Sequence, residues 1–302
     1  MTPSRTQEMA VLQAVIYASL FDYPLTLDQL QRDLVGVRAD AETIESWWRN
    51  SDLLQATVEH RDGWFYPAGR SDLIATRARR ETLSHALLER DRAIVSMVAN
   101  MPFVRMVALS GSLAHLNAEP SADLDLFVIT APKRVWSVTL AVFVVSRLLG
   151  WRRRMCMNYI VSERAMTIEP QDLFSANQII HLRPLVGHDV FERFVKSNGF
   201  VRTFYPNFEL PPGHESPRRR GIAERLLSYG PAALFERIAR TLYGWHLARR
   251  SSTWQSRDQV RLEPECLKLH TSSHRAATID RFDRAVSAAL AHAPKPVAVR
   301  AS

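Results

Sequence analysis

Cysteine is scarce in this chain of 302 residues, which contains only Cys156 and Cys266. Neither has a Cys or His partner at zinc-ligand spacing, so the sequence excludes a disulfide scaffold and predicts no structural zinc. Glycine is also infrequent, at 11 residues, whereas 46% of the residues are apolar. This composition excludes a fibrous or disordered chain and predicts a globular protein with substantial cores.

Long apolar runs are missing as well. The most apolar stretch runs from Val135 to Leu149 and is interrupted by Ser137, Thr139, Ser146 and Arg147. It falls short of the roughly 18 uncharged apolar residues that a membrane span needs. The first residues show no basic segment that leads into an apolar core. We therefore expect no membrane span, no secretory signal and a cytoplasmic location.

The chain has no basic run longer than three residues, although its net charge is +8. The excess lies entirely in residues 214–302, which hold 16 Lys and Arg against 8 Asp and Glu, whereas residues 1–213 hold 23 of each. Of the 39 basic residues 35 are Arg, a side chain suited to phosphate and nucleic-acid contacts. Because the runs are short, we favour a solvated surface over a nucleic-acid site.

The length predicts two or three domains, and the first comprises residues 1–70. Apolar spacing predicts three helices, of which the third covers residues 41–50, and then strand-like residues 53–58 and 63–66 about an Asp62-Gly63 turn. Three helices and a hairpin are typical of a winged helix-turn-helix. Its third helix carries Glu42 and Glu45 against only Arg49. We therefore expect weak DNA binding and favour a contact with a protein partner.

A second domain is predicted for residues 71–210. It starts with a long connector helix over residues 71–99, and three apolar strands follow at 104–109, 123–130 and 155–162. A helix is expected between the second and third strands, and residues 173–196 read as helical with a break near Pro184 and Gly187. Residues 211–302 are expected to form an Arg-rich, mainly helical region, in which Lys268 and His270 share a face if they lie on a strand.

The residues that indicate chemistry lie between Ser110 and Leu126. A strand leads into Gly111-Ser112, a short helix begins there, and the next strand carries Asp123 and Asp125. Glycine allows a phosphate close to the backbone, and alternate strand residues share a face. We therefore expect the two carboxylates within about 5 Å of each other and facing the turn. Such a pair can hold Mg²⁺ or Mn²⁺ ions that bridge to phosphates.

This stretch resembles the nucleotidyltransferase superfamily that includes DNA polymerase beta, and especially its minimal nucleotidyltransferase branch. The family pattern is Gly-Ser, about ten residues, and then Asp-x-Asp-Leu, which the chain matches at Gly111, Ser112, Asp123, Asp125 and Leu126. The resemblance covers residues 100–170. It implies an α+β fold with a mixed sheet flanked by helices. It also implies transfer of a nucleotidyl group from an NTP by two divalent metals, with release of pyrophosphate.

The third carboxylate of that family lies on a later strand, and the matching position here is Asn158. An Asn can offer a carbonyl oxygen but cannot accept a proton as a base. Glu163 and Glu169 follow on the chain and are candidates to replace the missing acid, although both residue types are common on surfaces.

Two hypotheses follow. In the first, the protein is an Mg²⁺-dependent nucleotidyltransferase that moves NMP from an NTP to an unidentified acceptor. Gly111 and Ser112 bind the nucleotide, Asp123 and Asp125 bind the metals, and Asn158 completes the catalytic group. In the second, it is a non-catalytic nucleotide-binding regulator whose winged helix contacts DNA or a protein partner.

Overall fold

The computed structural model describes residues 2–292 except 212, 214–220, 230–231, 250, 255, 257–259 and 270–274, so His270 lies outside the described part. Within this part the chain is α+β, as expected. A mixed six-stranded sheet is flanked by helices, and a three-stranded sheet lies near the N-terminus. No described helix combines the length and the apolar character needed to cross a bilayer.

The N-terminal elements follow the predicted order, with one further helix and one short further strand. They are α1 (Arg5–Ser19), β1 (Leu25–Thr26), α2 (Leu27–Arg32), α3 (Ala41–Arg49), α4 (Asp52–Thr57), β2 (Val58–Arg61) and β3 (Trp64–Pro67). The hairpin turns at Asp62 and Gly63, both with positive φ. The strand predicted over residues 53–58 is wrong for most of its length. Ser51 caps a helix there by accepting a hydrogen bond from the Leu54 N–H. The winged-helix assignment stays a prediction.

The remaining elements include all three predicted strands of the central region. They are α5 (Asp72–Asn100), β4 (Val104–Leu109), α6 (Gly111–Ala114), β5 (Leu124–Thr130), α7 (Val135–Leu148), β6 (Met155–Ser162), α8 (Leu173–Ile180), β7 (Arg183–Val186), α9 (His188–Ser197), α10 (Val201–Phe204), α11 (Ile222–Tyr229), α12 (Ala232–Ala248), β8 (Val260–Leu262), β9 (Cys266–Leu269) and α13 (Arg275–His292). The break expected near Pro184 is thus a short strand, β7.

The large sheet has the strand order β7-β4-β5-β6-β9-β8. Strands β5 and β6 are parallel and are joined through α7, while the other neighbouring pairs are antiparallel. The C-terminal region therefore supplies two strands to the sheet in addition to its helices. It also returns to the N-terminus, because Phe282 of α13 packs edge-on against Tyr17 of α1, with ring centroids 5.5 Å apart.

Alternation along β5 sends its side chains into two cores. Leu124, Leu126 and Val128 are fully buried in the core beneath α5, α7 and α12. Phe127 and Ile129 lie on the other face, in the core formed with α8, α9 and α10. Because strand residues alternate in direction, Asp125 lies on the same face as Phe127.

Candidate functional site

The turn between β4 and α6 brings the backbone against a carboxylate. The Ser110 N–H donates to the Asp125 carbonyl oxygen at 3.0 Å, which ties the turn to β5. Gly111 follows with φ +63°, in the left-handed region that favours glycine. A β-carbon at Gly111 would lie 3.2 Å from Asp125 Cγ and closer still to one carboxylate oxygen. A side chain at position 111 would therefore have to displace the Asp125 carboxylate, in addition to the cost of the positive φ.

Asp123 and Asp125 form a cluster with a third side chain, Cys156. One carboxylate oxygen of each Asp and the Cys156 Sγ all lie within 4.8 Å of one another. The spacing of the two carboxylates is as expected from their alternate positions. Cysteine was not expected here, since the sequence places no other Cys or His near it. The result is a small group of potential ligands at the mouth of the Gly111 turn.

Asp125 is hard to ionise in this position. Burial, and second the negative charge of Asp123, raise its pKa to about 7 from the ordinary value of 3.8. Both causes act against the charged form of a carboxyl group. A bound cation would act in the opposite direction and stabilise the carboxylate. The Asp123–Asp125 pair is therefore more stable with a bound cation or a shared proton than with two unscreened negative charges.

The register of β6 explains why Cys156 joins the pair. In the parallel ladder Asp125 lies opposite Cys156, and Phe127 lies opposite Tyr159. The β6 strand thus contains one extra residue in this interval, which is a β-bulge. Asn158 lies within the irregular stretch, and its side chain is outside the described part. Cys156, rather than Asn158, is therefore the β6 residue directly opposite Asp125, and the assignment of Asn158 to the catalytic group stays a prediction.

Neither candidate for the replacement acid reaches the cluster. The Glu163 N–H donates to Thr130 O, so Glu163 lies at the far end of β5, five residues or about 16 Å beyond Asp125 at 3.3 Å per residue. Its carboxylate lies 2.8 Å from an Arg193 nitrogen. The Glu169 carboxylate is paired with Arg261 at 2.9 Å. Both acids are engaged with arginines, which agrees with the surface alternative.

Residues 152–154 are three consecutive arginines, and the last of them, Arg154, has a structural role. Arg154 forms an ion pair with Asp91 of α5, a carboxylate that is almost completely buried. The Arg154 carbonyl accepts a hydrogen bond from the Leu124 N–H at 2.9 Å. Arg154 therefore fixes the connector helix to the start of the strand that carries the Asp pair.

A cavity of about 590 Å³ opens beside the cluster. Gly111, Ser112, Asp125 and Cys156 line one part of it. Much of the remaining wall is aromatic, with contributions from Tyr17, Phe21, Tyr23, Phe174 and Tyr205. The N-terminal helix α1 therefore forms part of the same cavity as the Asp cluster.

One cation in this cavity comes from the C-terminal region. Lys268 of β9 lies opposite Tyr159 of β6, and its ammonium lies 5.2 Å from the centre of that ring. The pKa of Lys268 is lowered below 10.5, and the main cause is burial of the ammonium group. The only sequence signal for Lys268 is the alternation of the residues around it. The pairing of β9 with β6 is what places this cation beside the cavity.

Two histidines line the cavity on the side of α6. The rings of His115 and His181 have centroids 4.2 Å apart. His181 Nε2 lies 3.2 Å from an Asp33 oxygen, and Arg32 binds the same carboxylate. Burial, and second the neighbouring His181, hold the His115 pKa well below 6.5. His115 therefore lies in the cavity wall, in surroundings that disfavour its charged form.

We compared the chain with protein-family models, curated proteins and solved structures, and found no significant match in any of the three.

Proposed function

We propose that this protein is a divalent-metal-dependent nucleotidyltransferase that moves NMP from an NTP to an acceptor and releases pyrophosphate. The observation that carries the proposal is the contact of the Asp125 carboxylate with the Gly111 turn, with Asp123 beside it. Binding phosphates through metal ions requires carboxylates that hold the metal and, next to them, a backbone turn that the phosphates can approach closely.

The donor set fits Mg²⁺ or Mn²⁺ through its oxygens. Carboxylates of Asp123 and Asp125 are the hard ligands that both ions prefer, whereas the Cys156 sulfur is a softer donor. The raised pKa of Asp125 supports the fit, because a cation would offset the repulsion between the two acids. When bound, the metal supplies charge neutralisation of the phosphates and orientation of the reacting groups.

The cavity supports a nucleotide-sized substrate. Its volume of about 590 Å³ lies within the range of about 300–1,000 Å³ that is typical of small-molecule sites. The aromatic wall offers flat apolar surfaces to a base or to an apolar acceptor. The buried Lys268 adds positive charge, which would favour the triphosphate.

In the proposed reaction an acceptor oxygen bonds to the α-phosphorus, and the bond from that phosphorus to the pyrophosphate oxygen breaks. The chain contributes positioning and electrostatics, as phosphoryl transfer generally demands. Ser112 and the Gly111 backbone hold the phosphates close to the Asp pair. No third carboxylate joins the cluster among the described residues, so the acceptor proton passes to water or to the departing pyrophosphate.

The second candidate is a nucleotide-binding regulator without turnover. The observation that favours it is Cys156, which stands opposite Asp125 where a third acid would complete the site. Such a protein would bind a metal–NTP complex through the Asp pair and change its contacts through the N-terminal helices that share the cavity.

The experiment uses purified protein, α-labelled NTPs, Mg²⁺ or Mn²⁺, and cell lysate as the source of acceptors. We expect label transfer by the wild type and none by the D125N variant. The E163Q variant is the matched control, because Glu163 directly follows β6 but lies far from the cluster. Metal-dependent NTP binding without transfer would establish the regulator instead. Failure to bind any NTP would reject both candidates.

A further inference from the structure

The exposed apolar side chains of this protein are concentrated on one group of helices. Among the described residues, eleven large apolar side chains are well exposed, and ten of them lie on α7, α11 or α12 or directly after α7. Five belong to α12: Leu234, Phe235, Ile238, Leu242 and Trp245. Single exposed apolar residues are ordinary, but a cluster of this size marks an interaction surface.

The α12 helix has two distinct apolar faces. Ala239, Tyr243 and Leu247 are buried against the large sheet's core. The exposed residues Phe235, Ile238, Leu242 and Trp245 recur at intervals of three and four, so they form a stripe on another side of the helix. The inner face holds the helix on the protein, whereas the side chains of the outer face are 44–58% exposed.

The α7 helix lies beside α12 and runs in the same direction. At its start, the backbone N–H groups of Trp136 and Ser137 donate to the Glu236 carboxylate at 2.9 and 2.8 Å. Further along, the Phe143 ring lies 5.3 Å from the Tyr243 ring. The exposed Leu148 and its neighbours therefore lie towards the end of α12 that carries Trp245.

The exposed charges of these helices are all positive. Arg147, Arg225, Arg237 and Arg240 are exposed on α7, α11 and α12, and Arg249 stacks over Trp245 at 3.6 Å. The two acids of these helices are buried. Glu224 pairs with Arg105 at 2.5 Å, and Glu236 caps α7. The described part of this surface thus combines large apolar side chains with arginine and exposes no carboxylate.

We propose that the outer face of α11 and α12, together with the end of α7, binds the surface of an anionic lipid bilayer. Apolar side chains enter the boundary between headgroups and acyl chains, while arginines contact the lipid phosphates. A second copy that packs the same face against this one would bring arginine against arginine, with no exposed acid among the described residues of the face to compensate. Nucleic acid would satisfy the arginines but leave the Leu, Ile, Phe and Trp side chains against a polar backbone.

The test measures co-sedimentation of the full-length protein with phosphatidylcholine vesicles that contain 30% phosphatidylglycerol or none. We expect binding to the anionic vesicles that weakens with added salt, and little binding to the neutral ones. The triple variant I238S/L242S/W245S and the double variant R237E/R240E should each lower the partition coefficient about tenfold or more. Because all five side chains are exposed, the variants should keep the wild-type melting temperature.

The R79E/R92E variant is the matched control, because it reverses two exposed arginines on α5 and should bind as the wild type does. The D125N variant should also bind normally, so lipid binding is separable from the proposed nucleotidyl transfer. Equal binding to neutral and anionic vesicles, or no binding, would overturn the proposal. Lipid-free dimerisation that the triple variant abolishes would also overturn it and assign the face to self-association.

Discussion

The Asp125 carboxylate and Gly111 meet so closely that a β-carbon on Gly111 would come 3.2 Å from Asp125 Cγ. The contact joins two residues that are 14 positions apart in the chain, one at the start of α6 and one near the start of β5. It places the Asp125 carboxyl group, whose pKa is raised, directly against the exposed backbone of Gly111. Any phosphate held by the turn would therefore also be next to the carboxylate, which makes an intervening cation necessary.

The G111A variant tests this contact. Alanine at φ +63° is strained by about 1–2 kcal/mol, and its β-carbon would displace the Asp125 carboxylate. We expect loss of metal-dependent NTP binding, measured by calorimetry, together with a lower melting temperature. The control is G150A, because Gly150 has φ +72° and nothing within 4 Å of the β-carbon position. It should show the backbone strain and retain full NTP binding; equal NTP affinity in both variants would refute a special role for the contact.

The pH dependence of stability should report on Asp125. Its pKa is about 7 in the folded chain and 3.8 in the reference state, so the folded state holds the extra proton between these values. Metal-free stability should therefore fall as the pH rises from about 4 to about 7 and change little above that. In urea titrations, the D125N variant should not show this fall in unfolding free energy between about pH 4 and about pH 7. The exposed substitution D62N should leave it unchanged.

Completing the acid cluster distinguishes the two functional candidates. Cys156 lies opposite Asp125, so the C156D variant should add a third carboxylate and raise metal affinity about tenfold. An enzyme should then transfer nucleotide faster, whereas a regulator should gain only affinity. The C156S variant controls for loss of the thiol. The N158D variant tests the sequence-based assignment, and a larger gain there than in C156D would favour it over the register.

The two cysteines allow a chemical test of ligand binding. Cys266 is buried, and burial raises its pKa to about 11, so it should resist alkylation. Cys156 is partly exposed at the cavity wall. We expect iodoacetamide to modify Cys156 first and Mn²⁺ with NTP to protect it, as measured by peptide mass spectrometry. NTP without metal should protect less. If neither Mn²⁺ nor NTP changed the rate of Cys156 alkylation, Cys156 would not belong to the nucleotide site.

Weak DNA binding is expected of the N-terminal unit. Glu42 is exposed on α3, and the only basic residue of that helix, Arg49, is paired with Glu45 at 2.6 Å. Fluorescence anisotropy with duplex DNA should give a Kd of about 10⁻⁴–10⁻⁶ M or weaker that is lost as salt increases. The E42Q/E45Q variant should bind more tightly. A salt-resistant, sequence-specific complex of the wild type would contradict the preference for a protein partner.

The sequence predicts most reliably those structural features that are determined by residues close together in the chain. The β4 strand, the Gly111 turn and the alternation of Asp125 with Leu124 and Leu126 are local features, and the structure contains each of them. The sequence predicts a strand where helix α4 lies, because the apolar run there is short and the helix signal rests on the Ser51 cap. Short apolar runs are compatible with either structure until packing decides.

What the sequence could not provide is register between distant strands. Alternation places Cys156 and Asn158 on one face of a regular strand, so it does not distinguish them. The bulge in β6 makes the difference, and it becomes visible only against β5. The cavity likewise joins residues from α1, α6, α8 and β9, which no local pattern connects. The motif therefore predicts the Gly111 turn and the Asp pair, but not Cys156 or the rest of the cavity wall.

The pairing of β6 with β9 also bears on how the chain matures on the ribosome. Cys266 and its neighbours leave the exit tunnel more than a hundred residues after Val161, to which Cys266 is paired. Until then β6 has an open hydrogen-bonding edge in the middle of what becomes a six-stranded sheet. Such an edge can recruit a strand from another nascent chain. A chaperone that shields β6 during synthesis would therefore protect both the yield of folded protein and the wall that later carries Lys268.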